Sequence, residues 1–192
     1  TLIAISKINP ISFFAAAYVE ILRSTPVLVQ IMIIYHGVFG KLIDLPNFTL
    51  FGFLKFNRFI PGVVALGMNS GAYLCEIIRS GMQSIELGQT EAARSLGMTK
   101  TQNLMYIILP QAIKNILPTL GNEFIALVKE TAVVGYVGAI DITKAFQDQG
   151  SNTYEFMMPY LVMAVVYIII VAAIAGLVKL MERRLARSER HS

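Results

Sequence analysis

The chain has 192 residues, of which 55% are hydrophobic and only 15% charged, with a net charge of +4. Soluble domains carry about 25% charged residues, so a mean hydropathy of +0.62 excludes an ordinary soluble core and points to one lipid-embedded domain. The single cysteine, Cys75, excludes an intrachain disulfide; no Cys/His cluster suggests a metal, and no basic run interleaved with aromatics suggests nucleic acid.

Residues 1–7, Thr-Leu-Ile-Ala-Ile-Ser-Lys, have no charged n-region or cleavage site and read as the tail of an apolar helix whose first part is missing. Crossing a hydrocarbon core of about 30 Å takes around 20 helical residues. Four later segments meet that length: 13–39, 59–85, 118–137 and 157–181. The first is interrupted by Arg23-Ser-Thr-Pro26, which predicts a bent or interfacially started helix. Segment 118–137 carries Glu123, Lys129 and Glu130, whereas 157–181 holds no charge except Lys179 near its end. Unpaired backbone groups are not tolerated in lipid, so all four are expected to be helices, making an all-α, polytopic transmembrane bundle. The connections 40–58, 86–103 and 139–155 are polar, with helical composition after Gly88 in the second. The end of the chain carries Lys179, Arg183, Arg184, Arg187 and Arg190. An excess of Lys and Arg marks the cytoplasmic side, so this tail is expected inside, with 86–103 inside and 40–58 outside. Lys41, Lys55 and Arg58 in the outer loop pull the other way and are outweighed by the five bases.

Two segments carry polar residues on one side. At 100° per residue, Asn69, Tyr73, Glu76, Ser80 and Gln83 fall within about 40° of one line, opposite Val63, Val64, Leu74, Ile77 and Ile78. Thr119, Asn122, Glu123, Lys129 and Glu130 share a sector roughly 120° wide. Polar groups within a span also hold helices together, and Glu76 with Arg79, or Lys129 with Glu123 or Glu130, would make such pairs. Two adjacent spans with continuous polar sectors favour a water-lined path, because ionisable groups in a membrane are costly. His36 and Cys75 read as a satisfied span histidine and a small buried hydrophobe.

Residues 91–97, Glu-Ala-Ala-Arg-Ser-Leu-Gly, form a short amphipathic helix stopped by a glycine cap, followed by a second helix expected to break near Pro110. Small Ala92 and Ala93 permit close approach of another surface, and Glu91 and Arg94 offer charges at its rim. Such a knob suits a groove on a soluble partner.

The stretch 91–112 resembles the EAA loop of type I ABC importer permeases: Glu-Ala-Ala, a glycine six positions after the glutamate, and a later Leu-Pro at 109–110. Glu20-Ile-Leu-Arg-Ser-Thr-Pro26 with Leu28-Val-Gln30 is similar to a segment of the polar amino acid permeases, as is Asn69-Ser-Gly-Ala-Tyr73 followed by Glu76 and Arg79. Leu120-Gly-Asn122 and Lys129-Glu-Thr131 resemble further positions of that family, with Glu130 for the usual Asp and Ala132 for the usual Ser, and Asp141 matches its Gly-x-x-Asp-Leu-Thr stretch. The resemblance implies a transmembrane domain over 1–184 with a coupling loop at 86–103, then a basic cytoplasmic tail at 185–192. It also implies about five spans, so that 1–7 would end the first. Implied in turn are a bacterial inner-membrane location, a dimeric ATP-binding subunit docking on Glu91, Ala92, Ala93, Arg94 and Gly97, a second permease copy or a sister permease, and an extracytoplasmic solute-binding protein.

No P-loop is present, since Gly97-Met-Thr-Lys-Thr lacks the glycine before lysine. No cofactor or catalytic residue is therefore expected in this chain, and ATP would be bound by the partner. The expected mechanism is alternating access, with an amino acid passing Asn69, Tyr73, Glu76, Arg79, Asn122, Glu123, Lys129 and Glu130. Arginine, histidine, glutamine and cystine all remain open as substrates. A channel-forming oligomer without ATP coupling explains the polar sectors but leaves the capped helix without a purpose. A membrane-embedded enzyme would want a nucleophile with its base, or a ligand partner for His36.

Overall fold

The computed structural model describes residues 10–188; the expected apolar tail at 1–7 and the last residues of the basic tail lie outside them. Packing divides the chain into two compact units, Thr1–Tyr73 with Ala126–Ala172, and Leu74–Ile125 with Ala173–Ser192.

In the first unit, α1 (Pro10–Ser24) opens on a proline, whose missing N–H costs nothing in a first turn. It stops before Pro26, because the proline ring disfavours helical geometry at the preceding residue. Pro26 is extended (φ −61°, ψ 137°), and α2 (Val27–Lys41) leaves at 112° to α1. The bend expected within 13–39 is thus a full break. At 15 residues, α1 is about 22 Å long, short of a bilayer core of about 30 Å.

Residues 40–58, expected as loop throughout, contain a two-stranded antiparallel hairpin. In it β1 (Thr49–Leu50) faces β2 (Leu54–Lys55), with Thr49 opposite Lys55. Its turn places Phe51 and Gly52 both at positive φ (53° and 80°) and closes with Phe53 N–H donating to the Leu50 carbonyl at 3.2 Å. Positive φ at both central residues is the geometry that matches hairpin twist.

Helix α3 (Phe56–Gln83) follows, and its first half packs on α2 in the core of this unit. That core joins Ile31, Ile34, Ala65, Leu66 and Val137. Val137 ends a 3₁₀ segment, Thr131–Val137, closed by Gly138 in the left-handed region (φ 74°). The Arg58 Nη1 donates to the Gly138 carbonyl at 3.2 Å, tying the start of α3 to that turn. Residues 139–155, expected to be a polar connection, form α7 (Ile142–Thr153) instead. The Asp141 carboxylate caps it by accepting the Lys144 N–H at 2.8 Å, which satisfies one of the orphan donors of a first turn. Helix α8 (Met157–Ser188) is tied to α7 by the Thr143 and Tyr167 hydroxyls, 3.1 Å apart.

The second unit holds α4 (Leu87–Ser95), α5 (Lys100–Asn103) and most of α6 (Leu109–Glu130). The helix does not break at Pro110. A π-helical stretch, Leu104–Ile108, precedes the proline, with Leu109 N–H reaching back to the Leu104 carbonyl. The wider turn absorbs the hydrogen bond that proline cannot donate. Nor does the helix begin at Pro118, which lies inside α6. Gly81 and Gly121 allow close packing here: a Cβ at Gly81 would strike the Ile116 side chain, and one at Gly121 the Val178 side chain.

Among the described residues, Met157–Glu182 alone is long and apolar enough to cross a membrane by itself (mean hydropathy 3.0). The pair Pro10–Ser24 and Val27–Lys41 passes only when taken together. Helices α3, with 28 residues, and α6, with 22, are long enough. Their polar residues keep them from qualifying on apolarity.

Candidate functional site

The short helix α4 is held at its far end by backbone geometry. Gly97 adopts φ +78°; its N–H donates to the Arg94 carbonyl at 2.9 Å, and the Met98 N–H to the Ala93 carbonyl at 3.1 Å. This pair of bonds is the Schellman arrangement, which satisfies the last carbonyls of a helix. At the near end, Glu86 makes no side-chain cap. Two residues beyond Gly97, Thr99 starts the next helix with a capping box: its hydroxyl accepts the Gln102 N–H while the Gln102 side chain accepts the Thr99 N–H. Stop and start signals thus stand almost back to back.

Of the sequence-expected residues, Glu91, Ala92, Arg94 and Gly97 are exposed on α4, whereas Ala93 is buried. Helix α4 packs against the π-helical stretch 104–108 of its own chain, so Ala92 remains available for close approach by a partner and Ala93 does not. Leu87 and Leu96, 81% and 83% exposed, flank the helix. Two apolar side chains thus stand in the open, one at each end of a charged helix.

Around the break between α1 and α2, in the first unit, lies a buried amide clasp. Gln30, 5% exposed, donates through Nε2 to the Leu22 carbonyl (2.7 Å), the Thr25 carbonyl (3.0 Å) and the Thr25 hydroxyl (2.7 Å). Asn69, 3% exposed, donates through Nδ2 to Gln30 Oε1 (3.0 Å) and the Leu22 carbonyl (3.3 Å). The break strips carbonyls of their helical donors, and buried carbonyls must find others; the two amides supply them. The Tyr18 hydroxyl adds a 2.6 Å bond to the Met68 carbonyl. The amide hydrogens of Asn69 are therefore spent on joining helices. Tyr73, one turn on, carries the Arg23 guanidinium 5.5 Å above its ring.

In the second unit, Glu76 and Arg79 form a two-pronged ion pair, and Arg79 also donates to Gln83 Oε1 at 3.4 Å. The polar side of α3 is thus internally paired there. Of the remaining expected path residues, Asn122 is exposed and Glu123 half-buried in the second unit; Lys129 is exposed and Glu130 half-buried in the first. Cys75 is exposed, contrary to the expected buried hydrophobe. His36 lies exposed, with its ring edge-on to Tyr35 at 4.8 Å. Sequence reasoning missed Gln30 and Thr25 as structural polar groups and the contact of Arg23 with Tyr73. Gln30 in the run Val27-Leu-Val-Gln-Ile-Met-Ile33 was the available signal, because a lone amide in an apolar helix needs a partner.

Among curated proteins, the chain is 39% identical over 187 residues to a putative glutamine transport system permease protein of Rickettsia typhi, covering 96% of this chain and 81% of that one. It is 36% identical to the arginine transport system permease protein of Bacillus subtilis, covering 98% and 82%. A crystal structure described as an amino acid ABC transporter with histidines superposes with a TM-score of 0.81 at 44% identity, over 92% of this chain and 78% of that one. The inward-facing MetNI methionine ABC transporter shares the fold at 20% identity, with a TM-score of 0.70 over 88% and 73%. A family model for the inner membrane component of binding-protein-dependent transport systems matches residues 2–187. The bent span, the capped helix between α3 and α6 and the long apolar α8 are therefore features of a membrane permease, and the chain belongs to that family.

Proposed function

We propose that this chain is the membrane-spanning subunit of an ATP-driven importer for polar amino acids, working by alternating access. The observation that carries the reading is the capped helix α4. Its fold is fixed by its own backbone, and it presents Glu91, Ala92 and Arg94 between the exposed Leu87 and Leu96. A rigid knob with an apolar rim suits the groove of a soluble ATPase, so that nucleotide binding there would move this helix. The polar residues of α3 and α6 would then be exposed to one side of the membrane and afterwards to the other. An amino acid carries both charges, and Glu76, Arg79, Glu123, Lys129 and Glu130 offer both signs. The named relatives, permeases for glutamine and arginine, support a polar amino acid as cargo. The partners in this reading are an ATP-binding subunit dimer, a second permease, and a solute-binding protein outside. ATP is bound and hydrolysed by the partner, and the C-terminus is cytoplasmic. A channel without ATP coupling gives no reason for a knob so firmly held.

Co-purification of the permease with its ATPase, and reconstitution in liposomes with the binding protein, test this directly. ATP-dependent accumulation of labelled glutamine, arginine, histidine or cystine is expected, together with ATPase activity that rises with the loaded binding protein. Equilibration without accumulation, unaffected by ATP, would leave a channel in its place.

A further inference from the structure

Helix α2 carries an apolar groove of about 540 Å³ lined by Leu28, Val29, Met32, Ile33, His36 and Gly37. These positions recur at helical spacing and share one side of the helix. From Leu28 to Gly37 the groove runs about 14 Å, close to half of a hydrocarbon core of about 30 Å. A second pocket, of about 300 Å³, lies toward the C-terminal end of α2, with Tyr35, His36, Phe39, Asp44 and Asn57 in its lining. His36 lines both, so groove and pocket adjoin. It sits in the π-helical stretch Ile34–Val38, a wider turn found often at functional sites. All of these residues belong to the first unit.

Two groups in the pocket want a donor. The Asn57 Oδ1 is buried and accepts no hydrogen bond, which a folded protein seldom leaves without a reason. Among the described residues Asp44 has no hydrogen-bond or ion-pair partner, and it shares the pocket with the rings of Tyr35 and Phe39, which attract cations. A positively charged N–H donor therefore matches the pocket, and a hydrocarbon chain matches the groove. We propose that α2 holds a phospholipid of one leaflet, with its primary ammonium head group between Asp44 and Asn57, its phosphate near His36 and an acyl chain along residues 28–33. A quaternary ammonium would satisfy the rings but brings no N–H to Asn57 Oδ1, so the primary amine is favoured. Residues 40–58 follow directly on α2, so the lipid comes from the leaflet that this connection faces, the outer one in the importer reading. The site requires a membrane-embedded chain and does not depend on ATP coupling.

The test uses the permease purified with its ATPase, placed in nanodiscs of mixed phosphatidylethanolamine, phosphatidylcholine and phosphatidylglycerol. The complex is then released into mild detergent and its retained lipid counted by native mass spectrometry. Wild type should keep phosphatidylethanolamine over the other two by about tenfold. Asp44 is exposed, so D44N keeps the fold while removing the charge, and it should lose most of that preference; N57L should lose part of it. A Cβ at Gly37 meets no atom within 4 Å, so G37L can project into the groove and should lower retention of the lipid itself. Equal retention of phosphatidylethanolamine and phosphatidylcholine by wild type, or a wild-type preference kept in D44N, overturns the proposal. It is also overturned if G37L separates paired permease subunits and leaves lipid retention unchanged, since the groove is then a protein interface. Displacement of the lipid by free ethanolamine at matched concentration overturns it too, leaving a pocket for small amines. ATP-driven uptake by the wild type is read separately, so each of these failures leaves the importer reading standing.

Discussion

Gly97 offers the sharpest test of α4 as a coupling device. A Cβ built there meets no atom within 4 Å, so substitution at this position probes backbone conformation alone, without clash inside the chain. A side chain in the left-handed region costs about 1–2 kcal/mol, and Asn pays least of the non-glycine residues. An aspartate also sets a negative charge against the negative end of the helix, adding about 0.3–1 kcal/mol. Helix α4 spans 9 residues and has no side-chain cap at its start, so little else compensates. Gly97→Asp should therefore disfavour the capped form by about 1.3–3 kcal/mol, a change in its population of about tenfold to a hundredfold. Membrane level, ATPase retention on purification and ATP-driven uptake should be measured in parallel. Membrane level should hold, while retention and uptake fall in the order Gly, Asn, Ala, Asp. Normal uptake by both Gly97→Ala and Gly97→Asp at normal expression would refute the role given to this helix.

The amide clasp predicts non-additivity: Gln30→Ala and Asn69→Ala, followed by denaturant titration in detergent, should show a coupling of about 0.6–1.7 kcal/mol, the range of hydrogen bonds between membrane helices; strictly additive effects would mean the two amides do not act together. Glu76→Gln should lower uptake by about tenfold or more through loss of a charged partner for Arg79, whereas Ile78→Gln, on the opposite side of the same helix, should change it far less. Equal transport by Glu76→Gln and wild type would leave Glu76 as a helix-surface ion pair. For orientation, Cys75 is exposed and must first be replaced by Ser. A cysteine at Ser188 should then be protected from an impermeant thiol reagent in intact cells and one at Ser151 labelled; labelling of Ser188 from outside would invert the topology.

What the sequence made legible were the features carried by local chemistry. Residues 157–181 have no competing signal, so α8 was plain. The Glu91–Gly97 helix and its glycine stop were equally plain, because one residue at one conformation decides the end. Prolines misled where a neighbour could compensate. Pro110 reads as a break until a π-helical turn takes up the missing bond, and Pro118 reads as a start although α6 passes through it. The α7 helix was hidden by its polarity, although Asp141 was already the cap it needed. The hairpin turn was hidden because Phe51, not only Gly52, adopts positive φ, which no propensity anticipates. Asn69 was grouped with a wet face on periodicity alone. Its partner Gln30 lies 39 residues away, a pairing that periodicity within one helix does not reveal.

Between Glu91 and Gln102, the residues that give the loop its shape are separate from those proposed to meet an ATPase. Gly97, Thr99 and Gln102 hold the two helix ends, while Glu91, Ala92 and Arg94 face outward. Form and address are therefore written in different letters. A lineage can alter the outward side chains, and with them its choice of motor, without refolding the loop. One ATPase can likewise come to serve several permeases if their outward residues converge. Exchange of 86–103 between relatives should accordingly transfer partner preference as a single block.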